Sequence, residues 1–432
     1  MIWDPEAETM AREQRARLQL SRLQAVVERV YAAVPFYRRR LDEAGVTPGS
    51  IRSLEDLQRL PFTSKADLRG LYPFGALAVP REQVMEFHSS SGTTGMPTAA
   101  MYTRADLELW GEVMARVLAA AGARPGDIIQ NAYGYGMFTG GLGFHYGGIR
   151  LGAMVVPASS GNTARQIKLF QELSPSGLTC TPSYALHLAE AFEERQIDVA
   201  SSGLRYGVFG AEPWTEGMRR QLEARLGIDA VDIYGLSEVI GPGVSVECCE
   251  AKNGLHINED HFLPEVIDPA SGEVLPWGQR GELVLTTLTK EAMPLLRYRT
   301  GDLTTLFEPE TCRCGRTLVR MAKITGRTDD MLVVRGVNLF PSDVESALLR
   351  FTELEPHYQL VVDRERALDT VEVQVEAKAS CVQDGLDRLA ERVADGIREV
   401  IGLSLKVTVL PPKSLPRSEG KALRVVDRRR LT

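Results

Sequence analysis

From about residue 127 to residue 234 short apolar runs alternate with amphipathic stretches. That alternation constrains the fold more than any other feature of the chain. Apolar strands are predicted at 127–132, 153–156, 178–180, 206–209 and 231–234, with helices at 164–173, 184–194 and 216–226 between them. A chain alternating in this way builds an α/β sheet covered by helices. Such sheets bind ligands beyond the carboxyl ends of their strands, so the segments after each strand are where chemistry is expected.

Different patterns flank this region. Leu20, Leu23, Val27, Val30, Tyr31 and Val34 follow helical spacing, and Pro35 ends that helix. After about residue 265 the chain becomes β-rich, with a strand at 282–288. Past Asp329 a smaller α+β unit is predicted, with strands at 359–362, 371–377 and 405–410 and a helix at 386–401. A length of 432 residues exceeds one ordinary core. The fold class expected is therefore α/β: a large N-terminal domain of helix-covered sheets, 1–328, and a small mobile α+β domain, 329–432.

Composition excludes several classes. Apolar residues make up 44% and charged residues 25%, which rules out a wholly disordered or fibrous chain. The net charge of −7 disfavours a nucleic-acid binder, which needs an excess of Lys and Arg; clusters such as Arg38-Arg39-Arg40 read as solvated faces. The start of the chain does not read as a secretory signal. The most apolar stretch, about 134–157, is broken by His145 and Arg150, so no membrane span is expected and a cytoplasmic enzyme is. Six cysteines do not make a disulfide scaffold here. Four are paired, Cys248-Cys249 and Cys312-x-Cys314, and point to metal or chemistry.

The strongest local motif is Ser89-Ser90-Ser91-Gly92-Thr93-Thr94-Gly95. Its glycines allow close backbone approach, while its hydroxyls and amides can surround phosphate oxygens. No Lys follows, so it is not a Walker A loop. Gly235-Leu236-Ser237-Glu238-Val239 lacks the last glycine of a nucleophile elbow, Gly134, Gly136 and Gly140 miss the dinucleotide spacing, and no H-E-x-x-H occurs.

An ordered set of motifs decides the reading. After the loop come Phe209-Gly210-Ala211-Glu212-Pro213, Tyr234-Gly235-Leu236-Ser237-Glu238, Tyr298-Arg299-Thr300-Gly301-Asp302, Gly326-Arg327-Thr328-Asp329-Asp330 and Pro416-Arg417-Ser418-Glu419-Gly420-Lys421. In order and spacing the chain resembles the adenylate-forming superfamily of acyl-CoA synthetases, and within it the phenylacetate–CoA ligase family, over nearly its whole length. The resemblance implies ATP-dependent activation of an aromatic carboxylic acid as an acyl-adenylate, followed by transfer to the thiol of coenzyme A. It implies ATP, Mg²⁺ and coenzyme A as cofactors, a small aromatic acid as substrate, no nucleic-acid or membrane partner, and a homodimer.

By the same resemblance Ser90, Ser91, Gly92, Thr93, Thr94 and Gly95 hold phosphates. Gly210, Ala211, Glu212, Tyr234 and Gly235 form the adenine slot, and Pro213, Asp232 and Ser237 also bind ATP or AMP. Asp302 binds the ribose hydroxyls, and Arg327 reaches ribose or phosphate. Glu238 is the Mg²⁺ ligand, a hard oxygen for a hard cation. Lys421 is the mobile charge for the adenylation transition state, with Glu238 and Arg327 beside it in catalysis. Asp329 is the hinge about which the small domain turns. The superfamily loop ordinarily ends in lysine. Thr98 stands there instead, as in phenylacetate–CoA ligases, which leaves phosphate neutralisation to Mg²⁺ and Lys421.

Tyr133, Tyr135, Phe138, Gly141, Phe144 and His145 are the acid-pocket residues, aromatic walls among glycines that let a ring approach the backbone. Family members commonly carry a small alanine where Phe144 stands, which implies a shortened pocket favouring benzoate-like acids over phenylacetate. Cys248, His256, Cys312 and Cys314 offer the three thiolates and one imidazole of a structural tetrahedral Zn²⁺ site. The spacing leaves Cys248 and Cys249 both in play, and Cys248 is the assignment. Two other readings of the activity stand beside the main one: loading of a carrier-protein pantetheine arm, and AMP transfer to a cofactor without a thioester.

Overall fold

A computed structural model describes residues 1–89, 97–199, 201–327, 332–334, 337–365, 368–417, 422 and 424–429. The chain forms two compact units, one spanning 1–180, 198–211 and 227–323, the other 181–197, 212–226 and 324–432.

After a single helical turn at Pro5–Glu8, the first unit continues with helix α1 (Arg12–Ala33) and helix α2 (Pro35–Glu43). Pro35 both stops α1 and starts α2, since its missing N–H is needless at a first helical position. Leu23, Val27 and Val30 of α1 are buried against Tyr37 and Leu41 of α2. A hairpin follows, β1 (Glu86–Ser89) with β2 (Ala99–Tyr102), pairing Ser89 with Ala99. The predicted phosphate loop connects these strands; Ser90, Ser91, Gly92, Thr93, Thr94 and Gly95 lie outside the described residues. Helix α3 (Arg104–Ala120) then starts at a Thr103–Asp106 capping box.

Next come β3 (Ile128–Asn131), α4 (Gly140–Leu151), β4 (Met154–Val156), α5 (Thr163–Leu173), β5 (Gly177–Cys180), α6 (Pro182–Glu194), β6 (Tyr206–Gly210), α7 (Glu216–Leu226) and β7 (Asp229–Leu236). After them run β8 (Gly241–Val246), β9 (Leu255–Ile257), β10 (Phe262–Ile267), β11 (Arg280–Thr287), β12 (Tyr298–Thr305) and β13 (Arg320–Met321). The main sheet has the order β13-β9-β8-β7-β6-β5-β3-β4. From β4 to β7 the neighbours are parallel, and from β7 to β13 they are antiparallel. The five parallel strands are the five expected from the alternation. Within them the winding reverses between β3 and β5, and sheets of this kind bind ligands outside the carboxyl ends of the strands at such a switch point. A second sheet pairs β10, β11 and β12 antiparallel, with Leu283, Val284 and Leu285 buried.

Helix α4 was not legible from propensity. It carries five glycines in twelve residues, Gly140, Gly141, Gly143, Gly147 and Gly148, a composition that disfavours helix. Packing explains it: a Cβ on Gly147 would meet Met114 Cβ of α3 at 2.4 Å, and one on Gly148 would meet Val155 Cγ2 of β4 at 2.4 Å.

In the second unit, helix α8 (Pro341–Leu348) precedes β14 (Leu354–Glu365) and β15 (Leu368–Ala377), an antiparallel pair. Helix α9 (Leu386–Ile401) follows, then β16 (Lys406–Leu410) and β17 (Val425–Asp427), both joined parallel to that pair. Leu389, Val393 and Ile397 of α9 pack on Leu360, Val373 and Val375, an α+β core as expected. Helices α6 and α7, which lie before residue 328, group with this unit. Asp329 and Lys421 lie outside the described residues. No described helix is long and apolar enough to cross a membrane.

Candidate active site

Glu238 stands in the turn after β7 and is buried. Thr98 Oγ1 donates to its Oε1 at 3.0 Å, and Lys65 Nζ lies 3.5 Å from the same oxygen. Lys290 is wholly buried near this carboxylate; its Nζ donates to Val239 O at 2.9 Å and sits 4.2 Å from the centre of the Tyr102 ring. Burial lowers its pKa to about 8, against the pull of Asp106 and Glu238. The Tyr102 hydroxyl reaches Ser237 O, and Ser237 Oγ lies 3.1 Å from Thr139 Oγ1. Glu238 therefore sits as a hard oxygen donor among cations and hydroxyls. Lys65, Thr98 and Lys290 as its partners were missed, because each comes from a distant segment and none belongs to a motif with Glu238.

On the neighbouring strands Tyr234 donates its hydroxyl to Asp302 Oδ2 at 2.6 Å, joining two residues assigned to the base and the ribose. Asp302 is buried, and its N–H is held by Thr300 Oγ1 at 3.0 Å. Asp232 N–H donates to Glu247 Oε2 at 2.9 Å. Gly235 and Gly210 are required by close backbone contact: a Cβ would lie 2.1 Å from Gly241 O in the first case and 2.4 Å from Ile233 O in the second. Ala211 turns the chain out of β6 at φ +69°, a left-handed conformation costly for a residue with a Cβ.

The residues expected to line the acid pocket lie after β3, beside the switch point. Asn131, at the end of β3, organises them and was not foreseen. Its amide donates to Gly141 O at 2.7 Å and Tyr135 Oη at 2.8 Å, while its Oδ1 accepts from Thr179 Oγ1 at 3.0 Å and the Tyr133 N–H at 3.3 Å. Two donors and two lone pairs are all used. The Tyr135 hydroxyl in turn lies 3.3 Å from His145 Nδ1. Burial pushes that tyrosine up to about 12 and holds the imidazole below its usual range. Tyr133 and Phe144 are buried and stacked, centroids 5.1 Å apart and 6° from parallel. Gly141 closes on Gly134, where a Cβ would meet O at 2.6 Å. Phe138, by contrast, is exposed and covers Gly140.

In the second unit Glu212 turns its carboxylate onto two backbone amides, Ser183 N at 2.8 Å and Ala422 N at 2.7 Å. Pro213 follows it, and Arg327 lies in the short strand Gly326–Arg327.

The four expected metal ligands converge. Their ligand atoms all lie within 4.8 Å of one another. Cys248 Sγ is 3.9 Å from Cys312 Sγ, and Cys314 Sγ is 3.6 Å from His256 Nε2. Cys249 instead lies toward Gly122. The sheet order brings them together: Cys248 follows β8, His256 sits in β9, and the Cys312–Cys314 turn leads into β13, which pairs Arg320 with His256. Two residues past Cys314, Arg316 forms a buried ion pair with Glu8, so this turn also ties down the N-terminal segment.

The chain matches the AMP-binding enzyme family over residues 11–288 and the AMP-binding enzyme C-terminal domain over residues 336–429. It is 55% identical to phenylacetate-coenzyme A ligase of Thermus thermophilus, covering 100% of both chains. It is 50% identical to the Escherichia coli K12 protein of that name, covering 98% of this chain and 97% of the other. The crystal structure of 2-hydroxyisobutyryl-CoA ligase in the postadenylation state with R3-HIB-AMP superposes with a TM-score of 0.92 at 32% identity, covering 99% of this chain and 92% of that one. The fold is that of adenylate-forming enzymes. The chain belongs to the phenylacetate–coenzyme A ligase family of AMP-binding enzymes.

Proposed function

We propose that the acid this enzyme activates is phenylacetate or a close arylacetate. The protein is an AMP-forming acid–CoA ligase. The acid's carboxylate attacks the α-phosphorus of ATP and pyrophosphate leaves; the thiol of coenzyme A then attacks the acyl carbon and AMP leaves. Both partners of the first step are anionic, so neutralisation and positioning dominate its catalysis. Lys421 supplies a mobile positive charge there. Glu238, held by Thr98 and Lys65, is suited to bind Mg²⁺, which would neutralise phosphate charge. Tyr234 and Asp302 orient the base and ribose. Domain 329–432 turns about Asp329 between the two steps.

The observation that carries the substrate is the stacked Tyr133–Phe144 pair beside the switch point, with its backbone set by Asn131. The full-length relatives named phenylacetate-coenzyme A ligase favour an arylacetate over the benzoate-like acid expected from Phe144. Pyrophosphate release across a panel of acids, with coenzyme A, with a holo-carrier protein and with neither, tests the reading. Phenylacetate should be preferred and its CoA thioester formed. A benzoate preference, or turnover only with the carrier protein, overturns it.

We also propose a structural Zn²⁺ at Cys248, His256, Cys312 and Cys314. Two sulfurs at tetrahedral zinc span about 3.8 Å, close to the 3.9 Å between Cys248 and Cys312. Reduced thiolate ligands fit a cytoplasmic enzyme. A homodimer in solution completes the proposal, checked by light scattering.

A further inference from the structure

We infer that Glu212 is a positioning residue for adenylation, holding the backbone beside Lys421 while the first step takes place. The inference rests on the two-step reaction and mobile domain proposed above, and gives Glu212 a task different from lining the adenine slot.

Glu212 divides its carboxylate. Oε1 accepts the N–H of Ser183, the second residue of α6, and Oε2 accepts the N–H of Ala422, the residue after Lys421. The first bond is anchored: an amide in the first turn of a thirteen-residue helix has no partner within the helix, and the positive helix end favours a carboxylate. The second bond reaches across 210 positions of sequence. One oxygen can therefore release Ala422 while the other stays on α6.

The same loop grips the C-terminal part again. Thr215 Oγ1 donates to Glu345 Oε1 of α8 at 3.1 Å. Glu345 also accepts from Tyr358 at 3.1 Å and faces Arg424 at 3.8 Å. Arg424 lies over the Tyr358 ring, and its carbonyl accepts from Leu360 N at 2.7 Å. Within the C-terminal domain, β17 and Arg424 thus fix one side of the segment. Ala422 is held from outside that domain, by Glu212. Left-handed Ala211 aims the chain directly into this residue.

A mobile lysine works only when its charge is placed on the developing negative charge. A carboxylate acceptor on the adjoining amide limits the positions that lysine samples. The thioester step, for which Lys421 is withdrawn, has no need of this bond.

The experiment measures both half-reactions in Glu212→Ala and Glu212→Gln. Loss of a charge-assisted hydrogen bond should lower kcat for adenylation, read as pyrophosphate exchange, by about 10- to 100-fold. KM for ATP and thioester formation from supplied acyl-adenylate should not change. Glu212→Gln, whose amide keeps one acceptor oxygen, should fall between. Amide hydrogen exchange of the peptide containing Ala422 reads the clamp without catalysis: protected in the native enzyme and lost in Glu212→Ala. A raised KM for ATP at unchanged kcat, an equal fall in both half-reactions, or unchanged protection overturns the inference. An enzyme that activates no arylacetate would instead overturn the proposed function, with the exchange experiment still judging the clamp.

Discussion

Thr98 Oγ1 donates to Glu238 Oε1 at 3.0 Å, joining the residue that replaces the superfamily's loop lysine to the proposed Mg²⁺ ligand. Lys65 brings a positive charge to 3.5 Å from the same carboxylate and is only partly exposed. Thr98 thus orients the oxygen donor in place of supplying charge.

Thr98→Val should lower kcat/KM for ATP by about tenfold, the effect of one hydrogen bond to a charged group. Thr98→Ser should retain activity. Pyrophosphate release at a series of Mg²⁺ concentrations checks this; the defect should shrink as Mg²⁺ rises. A loss independent of Mg²⁺ would separate Thr98 from the metal ligand.

Metal analysis of the purified protein should find one zinc per chain. Cys312→Ser should lose it and lower the melting temperature by about 5–10 °C, since metal binding contributes to folding. Cys249→Ser and Cys381→Ser should both keep it.

Lys290 gives the stability a pH signature. Its folded pKa is about 8 against an ordinary 10.5. Below pH 8 the lysine is charged in both states, and its burial cost is fully present. Between these values the folded state has lost the proton while the unfolded state still binds it, so this group's contribution rises with pH. The size is on the order of 3 kcal/mol. Denaturation at pH 7.5 and pH 10 should show that the difference between native protein and Lys290→Met moves in favour of the native residue at the higher pH.

Gly141→Ala should disturb the acid pocket and leave the nucleotide site intact. Its Cβ would lie 2.6 Å from Gly134 O, so backbone has to move. We expect kcat/KM for phenylacetate to fall about 10- to 100-fold, the scale of a small misplacement of a bound reactant. KM for ATP should hold.

The elements most legible in the sequence were those whose periodicity is local. The α9 helix was expected at 386–401 and runs Leu386–Ile401, because its apolar face repeats at helical spacing. The short strands β3 to β7 were found from apolar runs bounded by turns. Helix α4 was not, since its glycines are chosen for close approach to α3 and β4 and their propensity misleads. Helix α3, between the β1–β2 hairpin and the first parallel strand, also went unassigned. In the site, the residues proposed from sequence all belong to motifs. Asn131, Lys65 and Lys290 were not proposed, because a single polar residue has no periodicity.

By itself the sequence determined the element types, the order of the motifs and the chemistry those residues can perform, all of which reside in neighbouring residues. Tertiary structure decided which side chains meet. The reversal of winding between β3 and β5 set the switch point beside which the proposed acid-pocket residues lie. The antiparallel β7-β8-β9-β13 edge turned Cys248 toward His256, Cys312 and Cys314, and left Cys249 facing Gly122. Thr98 met Glu238 across 140 positions, and Glu212 met Ala422 across 210. Such pairings follow from strand order and register, and these are set by the joint burial of many distant apolar faces rather than by any local stretch of chain.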